Sequence, residues 1–430
     1  MHNSSLILYF FKSLLVIIFS LYLQSVNVLF ISLILDIIFF VISLKKGSLV
    51  FLSYCFFSLI TFLLYSSYLL EAGYYCTYGG DDEVYLKLVQ NTLNDEEKNF
   101  TLKDFLSNRY STYIYLSYFL ILPFKSVGLQ IDFPITLALF HSAVGSLIIP
   151  VYNAVFRKLT GIEKIPLSLF FFTPLIYYSI VNREVINYLI FGAFLYYLIH
   201  NYNWIINTIR LVVSFTLMYF VRPETSFSII MLLFFYSLNS LKKSIICGLG
   251  LLSVLFVLQF FTKKYIAPIE QGQKIYFGLP QEKNSPSSIG AVLRYSDDII
   301  LKSANYIYYV FSPVPPYIFK YVNFENLFLS IGQLFWYYIL YSLIRNYSNL
   351  RQFIHKEIFL ANLLVLLIYV FIVAFYGGTQ RHYYTCVPMV LLSFDYLLYT
   401  NKLYLIKAAK ELLILTPLII GVYFVIKLLI

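Results

Sequence analysis

Charged residues are scarce in this chain. Asp, Glu, Lys and Arg together make up 12% of its 430 residues, about half the ~25% typical of a soluble domain. Acids are the scarcer sign, with 21 Asp and Glu against 31 Lys and Arg and a net charge of +10. Such an excess of base can mark a nucleic-acid binder. Here the basic residues fall mostly in short links between apolar runs, as retention of positive loops in the cytoplasm requires, and no nucleic-acid partner is expected. Cysteine is limited to Cys55, Cys76, Cys247 and Cys386, without CxxC spacing, and the five histidines lack HxxxH or HExxH spacing. A local metal site therefore has no support. Cys76 and Cys386 could both lie near the outer face and pair, but free thiols are the expectation. Period-two alternation is missing as well: the run Leu6 to Leu23 does not alternate, which excludes the strands of an outer-membrane barrel. No repeat of 20–50 residues and no low-complexity tract interrupts the chain.

What is present is apolar. The chain is 60% hydrophobic and 20% aromatic, with a mean hydropathy of +0.77. Runs of about 20 such residues fold as transmembrane helices, because lipid offers no partner to an unpaired backbone group. The expected fold class is all-α: a polytopic integral membrane protein of about thirteen transmembrane helices, one transmembrane domain over residues 1–430, with its N-terminus inside. The expected spans are 5–23, 28–44, 49–70, 134–156, 166–181, 186–202, 211–221, a return from 224 to Lys242, then 244–261, 327–344, 358–375, about 381–402 and 412–429. The first run is too long for a signal-peptide core and another follows at once, so it reads as a retained span. Residues 71–131 and 263–325 form two large extracytoplasmic loops. Arg109–Tyr115, rich in tyrosine, reads as part of helices lying along the interface rather than as a further span, which keeps Arg157 and Lys158 inside. Most charges sit at span ends.

Against that background the run Gly79-Gly80-Asp81-Asp82-Glu83-Val84-Tyr85 stands out. Three consecutive carboxylates at the mouth of a membrane domain are costly there and mark a functional site. Asp81 or Asp82 could act as general base, since partial desolvation lifts a carboxylate pKa toward working pH, and the pair could hold a divalent cation. Gly79 and Gly80 allow a tight turn into the site, and Glu83 and Tyr85 flank it. A solvated acidic turn is the plain alternative. Arg183-Glu184 and Arg222-Pro223-Glu224 fall at two outward hairpin tips; arginine binds phosphate bidentately and stays charged at any relevant pH, although each tip could simply close on an internal ion pair. Arg381-His382-Tyr383 heads a span on the outer side, where a cation calls for an anionic partner, a lipid phosphate or the acidic run itself. His382 could assist proton transfer, and headgroup snorkelling is the alternative for Arg381. Asp297-Asp298, in a more solvated loop, is a second and weaker candidate for the base.

Taken together these residues resemble the GT-C superfamily of polyprenyl-phosphate-sugar-dependent glycosyltransferases, which includes protein mannosyltransferases and aminoarabinose transferases. The similarity lies in Gly80-Asp81-Asp82-Glu83-Val84-Tyr85 in the first outer loop and in Val151 to Gly161, with its Arg157-Lys158-Leu159 exit. It extends to the Arg183-Glu184 tip and to Gln380-Arg381-His382-Tyr383-Tyr384 followed by Pro388. The large C-terminal soluble domain of some members is not expected here, and the extra N-terminal spans depart from the simplest pattern. The resemblance implies sugar transfer from a polyprenyl-phosphate carrier to a glycan, lipid or protein acceptor on the extracytoplasmic face of the plasma (inner) membrane. In it Asp81 or Asp82 would deprotonate the acceptor, and Arg381, with Arg222, would hold the phosphate. No cofactor is required, a divalent cation at Asp81/Asp82 being optional. Two other functions fit the same composition: a surface-polysaccharide polymerase or ligase working on polyprenyl-diphosphate glycans, and a transporter or flippase of lipid-linked sugar. The last would need charges or broken helices near mid-membrane.

Overall fold

The computed structural model describes residues 3–23, 25–72, 121–124, 126, 133–171, 184–199, 204–238, 300, 303, 306, 324–346, 356–376 and 384–429. Every regular element among them is a helix. They are α1 (Asn3–Tyr22), α2 (Val26–Lys46), α3 (Ser48–Ala72), α4 (Phe133–Ser146), α5 (Ile148–Thr160), the single turn α6 (Ser168–Phe171), α7 (Glu184–Ile199), α8 (Trp204–Val221), α9 (Pro223–Ser237), α10 (Phe324–Arg345), α11 (Lys356–Tyr376), α12 (Val387–Thr400) and α13 (Lys402–Leu429), with a 3-10 turn at Tyr384–Cys386. Four stretches among the described residues are long and apolar enough to cross a membrane: Ser5–Tyr22, Val26–Lys46, Ser48–Ser67 and Ile135–Thr160. They match the first four expected spans to within a few residues. The chain is thus an all-helical membrane protein. The expected span at 244–261, all but the first six residues of that at 166–181, and nearly all of both large loops lie outside the described residues.

The helices differ from the expected spans in three notable places. The fourth span is broken at Leu147 into α4 and α5. Pro150 has no N–H to give the carbonyl four residues back, at Ser146, and its ring crowds that carbonyl. The next bonds, Leu147 N–H to Val144 O and Val151 N–H to Leu147 O, re-form the ladder on either side. Helix α8 starts at Trp204 rather than Leu211, so Arg210 lies inside it. That is tolerable because its guanidinium sits 4.2 Å from the centroid of the Tyr197 ring on α7, a cation–π contact. Helix α13 begins at Lys402, with Asn401 alone separating it from α12.

Burial on α1 and α2 is inverted relative to a soluble helix. On α1 the buried positions are Ser5, Lys12, Val16, Phe19 and Ser20, on one face at helical spacing. The opposite face exposes Leu6, Phe10, Leu14, Ile17 and Leu21, the last at 73%. On α2 the buried face holds Ser32, Asp36 and Ser43 among Val28, Ile31, Leu35 and Phe39. Continuous apolar faces running the length of a helix exceed what a soluble monomer shows to water, and lipid is their natural solvent.

Two compact units make up the chain, one of Met1–Ile229 with Pro316–Phe335 and the other of Ile230–Pro315 with Trp336–Ile430. In the first, α1, α2 and α3 pack on one another, α3 packs on α4, and α7 packs on both α5 and α8. Ser58 and Ser142 hydrogen-bond at 3.2 Å between α3 and α4. The α5–α7 approach is closest at Gly192, where a Cβ would lie 2.9 Å from Tyr152 and Val151 side-chain atoms, and the Tyr152 hydroxyl donates to the Tyr188 carbonyl at 3.2 Å. Helix α5 ends at Gly161, whose φ of +70° and N–H to Arg157 O bond of 2.8 Å close the last turn in the left-handed geometry that glycine adopts most cheaply. In the second unit, Asn362 on α11 donates to the Cys386 carbonyl at 2.7 Å, and Tyr338 on α10 donates to the Leu405 carbonyl on α13 at 2.9 Å. Cys55 and Cys386 are buried free thiols, so Cys386 is not paired with Cys76, which lies outside the described residues.

Candidate functional site

The corner between α8 and α9 turns on one residue, Arg222. Its N–H closes α8 on the Met218 carbonyl at 2.7 Å, and its own carbonyl accepts the Thr225 N–H at 3.1 Å to open α9. Arg222 thus caps one helix and starts the next, with Pro223 at the first position of α9, where its missing N–H costs nothing. The chain doubles back there: the rings of Phe215 and Phe227 meet across the corner at 6.1 Å. This is the hairpin expected from the sequence, with its arginine buried. Arg222 is only 6% exposed.

Helix α7 supplies the second wall. Asn187, fully buried one turn into α7, donates from Nδ2 to Thr225 Oγ1 at 2.9 Å. Thr225 in turn donates its hydroxyl to the Arg222 carbonyl at 3.0 Å. With the Thr225 proton on the carbonyl, its oxygen accepts and Asn187 presents its NH₂. The structure thus joins the first turns of the two helices that follow the marked tips, while Arg183 lies outside the described residues. Glu184 is the first residue of α7, Glu224 the second of α9, and the Asn187–Thr225 bond joins their first turns. The planar fork of a guanidinium matches phosphate oxygens.

The other expected site residues are not described. Asp81, Asp82, Glu83, Tyr85, Arg183, Arg381, His382 and Tyr383 all lie outside the described residues, as do Asp297 and Asp298. The chain resumes at Tyr384, directly after the Arg381-His382-Tyr383 group, in a 3-10 turn anchored by the Asn362–Cys386 bond. Among the described residues no group of three or more His, Cys, Asp or Glu could hold a metal ion. The Asp81/Asp82 pair, the one candidate cation site, is not among them.

Three buried polar features were missed by the sequence reading. Lys12 and Asp36 form an ion pair between α1 and α2, with side chains 0% and 10% exposed, and Lys12 Nζ also lies 3.4 Å from the Tyr54 hydroxyl on α3. The signal was present: opposite charges stand near the centres of two adjacent apolar runs. Asn187 was missed because an asparagine inside an apolar helix carries no motif. Asp395, fully buried in α12, was overlooked for the same reason.

No protein-family model matches the chain, and no significant match exists among curated proteins or solved structures.

Proposed function

We propose that this protein is a membrane glycosyltransferase that moves a sugar from a polyprenyl-phosphate carrier to a glycan, lipid or protein acceptor on the extracytoplasmic face of the plasma membrane. The observation that carries the reading is the buried Arg222 at the junction of α7, α8 and α9. It lies where α8 ends and α9 begins, and an arginine held out of water at such a corner suits the phosphate of an inserted lipid carrier. The run Asp81-Asp82-Glu83 supplies the base, in a loop that follows α3. One carboxylate takes the proton of the acceptor hydroxyl while the arginine stabilises charge on the departing lipid phosphate. A divalent cation at Asp81/Asp82 is compatible with this chemistry without being needed for it.

The test is sugar transfer in membranes supplied with lipid-linked sugar, at matched protein level. Asp81→Asn or Asp82→Asn is expected to abolish transfer, Arg222→Gln to lower it at least 100-fold, and the double change Asp297→Asn with Asp298→Asn to leave it intact. Transfer that survives both early substitutions removes the base assignment and advances the polymerase or ligase reading. A second reading, a flippase of lipid-linked sugar, draws on the Lys12–Asp36 pair near the middle of α1 and α2 and on the break at Pro150. It predicts carrier-sugar movement between leaflets without any new glycosidic bond.

A further inference from the structure

We propose that Asn187 and Thr225 are positioning residues that hold Arg222 for a lipid phosphate; this rests on the reading of Arg222 given above. The relay Asn187 Nδ2–H to Thr225 Oγ1–H to Arg222 O is a side-chain link from α7 into the corner. Asn187 and Thr225 are 0% and 1% exposed. Packing alone does not account for an asparagine there. Its Oδ1 is buried with no hydrogen-bond partner, and a carboxamide left half-satisfied in a dry interior destabilises the fold relative to an apolar side chain of the same size. A group retained at a cost in stability is typical of a site in which geometry is held for function. What this asparagine gains is registry. It sets the first turn of α7 against the one-residue corner whose carbonyl, backbone direction and side chain all belong to Arg222.

The inference separates from a merely structural role because the two predict opposite pairings of stability and binding. The measurement uses the full chain purified in detergent, with farnesyl phosphate and farnesol as probes, and records the melting temperature without probe. Wild type is expected to prefer the phosphate at least tenfold, and Arg222→Gln to lose that preference. Asn187→Leu is expected to lose most of it, about tenfold, while melting at or above the wild-type temperature. Thr225→Val is expected to behave similarly. Thr225→Ser, which keeps the hydroxyl, should stay within about twofold of wild type. If Asn187→Leu and Thr225→Val keep the full phosphate preference, or lose affinity for both probes equally with a lower melting temperature, the positioning role is wrong while Arg222 stands as a phosphate ligand. If wild type and Arg222→Gln bind both probes alike, the phosphate assignment of Arg222 fails, and the positioning role fails with it.

Discussion

Replacing Lys12 with leucine would leave Asp36 as a lone carboxylate on the inner face of α2, with the Tyr54 hydroxyl nearby as a weak partner. The pair is closed to solvent, with side chains 0% and 10% exposed, and Phe39 stacks on Tyr54 at 4.3 Å over the same spot. Water cannot take over the role of the lysine. Removing one partner of a buried pair usually costs about 3–5 kcal/mol, whereas replacing both by apolar groups is near neutral. A second route gives the same figure. The orphaned group escapes charge burial by neutralising, and holding an ordinary aspartic acid protonated at pH 7 costs about 1.36 kcal/mol for each of roughly three pH units, near 4 kcal/mol. The same arithmetic for an orphaned lysine gives about 4.6 kcal/mol. Lys12→Leu and Asp36→Leu should therefore each destabilise the first unit by about 4 kcal/mol, while the double variant should lie within about 1 kcal/mol of wild type. The assay is the fraction of monodisperse protein left after graded heating in detergent, read for the four corners of the cycle. The exchange Lys12→Asp with Asp36→Lys should recover part of the loss. Single variants as stable as wild type, or a double variant as poor as either single, would refute the reasoning and leave the pair without an energetic role.

Other consequences are local. Gly192→Ala places a Cβ 2.9 Å from Tyr152 and Val151, so α5 and α7 must separate; a loss of about 1–3 kcal/mol is expected, seen as a lower melting temperature that a second change, Val151→Ala, partly restores. Gly161→Ala forces a Cβ into a left-handed φ of +70° and should cost about 1 kcal/mol, measurable in the same heating assay. Nine residues into α13, Glu411 accepts from Tyr341 at 2.7 Å and from Arg345 at 3.2 Å. Those two hydrogen bonds, the tyrosine first, hold its carboxyl below the ordinary value of 4.5. A lowered folded pKa means the contribution is complete above about pH 4.5 and fades as pH falls through the lowered value. The difference in melting temperature between wild type and Glu411→Gln should thus be constant near neutrality and shrink in acid. A gap that instead widens below pH 4 would show that the sign is wrong.

The helices were legible because lipid imposes one rule on every residue at once: backbone groups must pair locally, so an apolar run of sufficient length is a helix wherever it occurs. That rule located α1 to α5 to within a few residues. It says nothing about what one proline does inside a run, so the interruption at Leu147 required the carbonyl geometry of Pro150. Nor does it distinguish the face of a helix. A strip such as Ser5, Lys12, Val16 and Phe19 becomes visible as an inner face only once the outward apolar side is seen to be continuous.

The site was legible only where polarity interrupts an apolar pattern. Arg222 could be singled out at a tip, but its burial could not, because burial is set by the helices packed around the corner, α7 among them, whose Asn187 meets Thr225 across 38 residues of chain. Lys12 and Asp36 were hidden for a related reason. Counted with the other charges they vanish among the many at span ends, and only their mutual distance shows that each neutralises the other near mid-membrane. That pairing also limits the flippase reading. A conduit for a polar headgroup needs charge that can reach the passing group, whereas Lys12 is 0% exposed and engaged by Asp36 and Tyr54. If the pair lines a path, the Lys12→Leu and Asp36→Leu double variant must abolish function while folding normally. If it only joins α1 to α2 and α3, the same variant must retain function, so one protein distinguishes a transport role from a structural one.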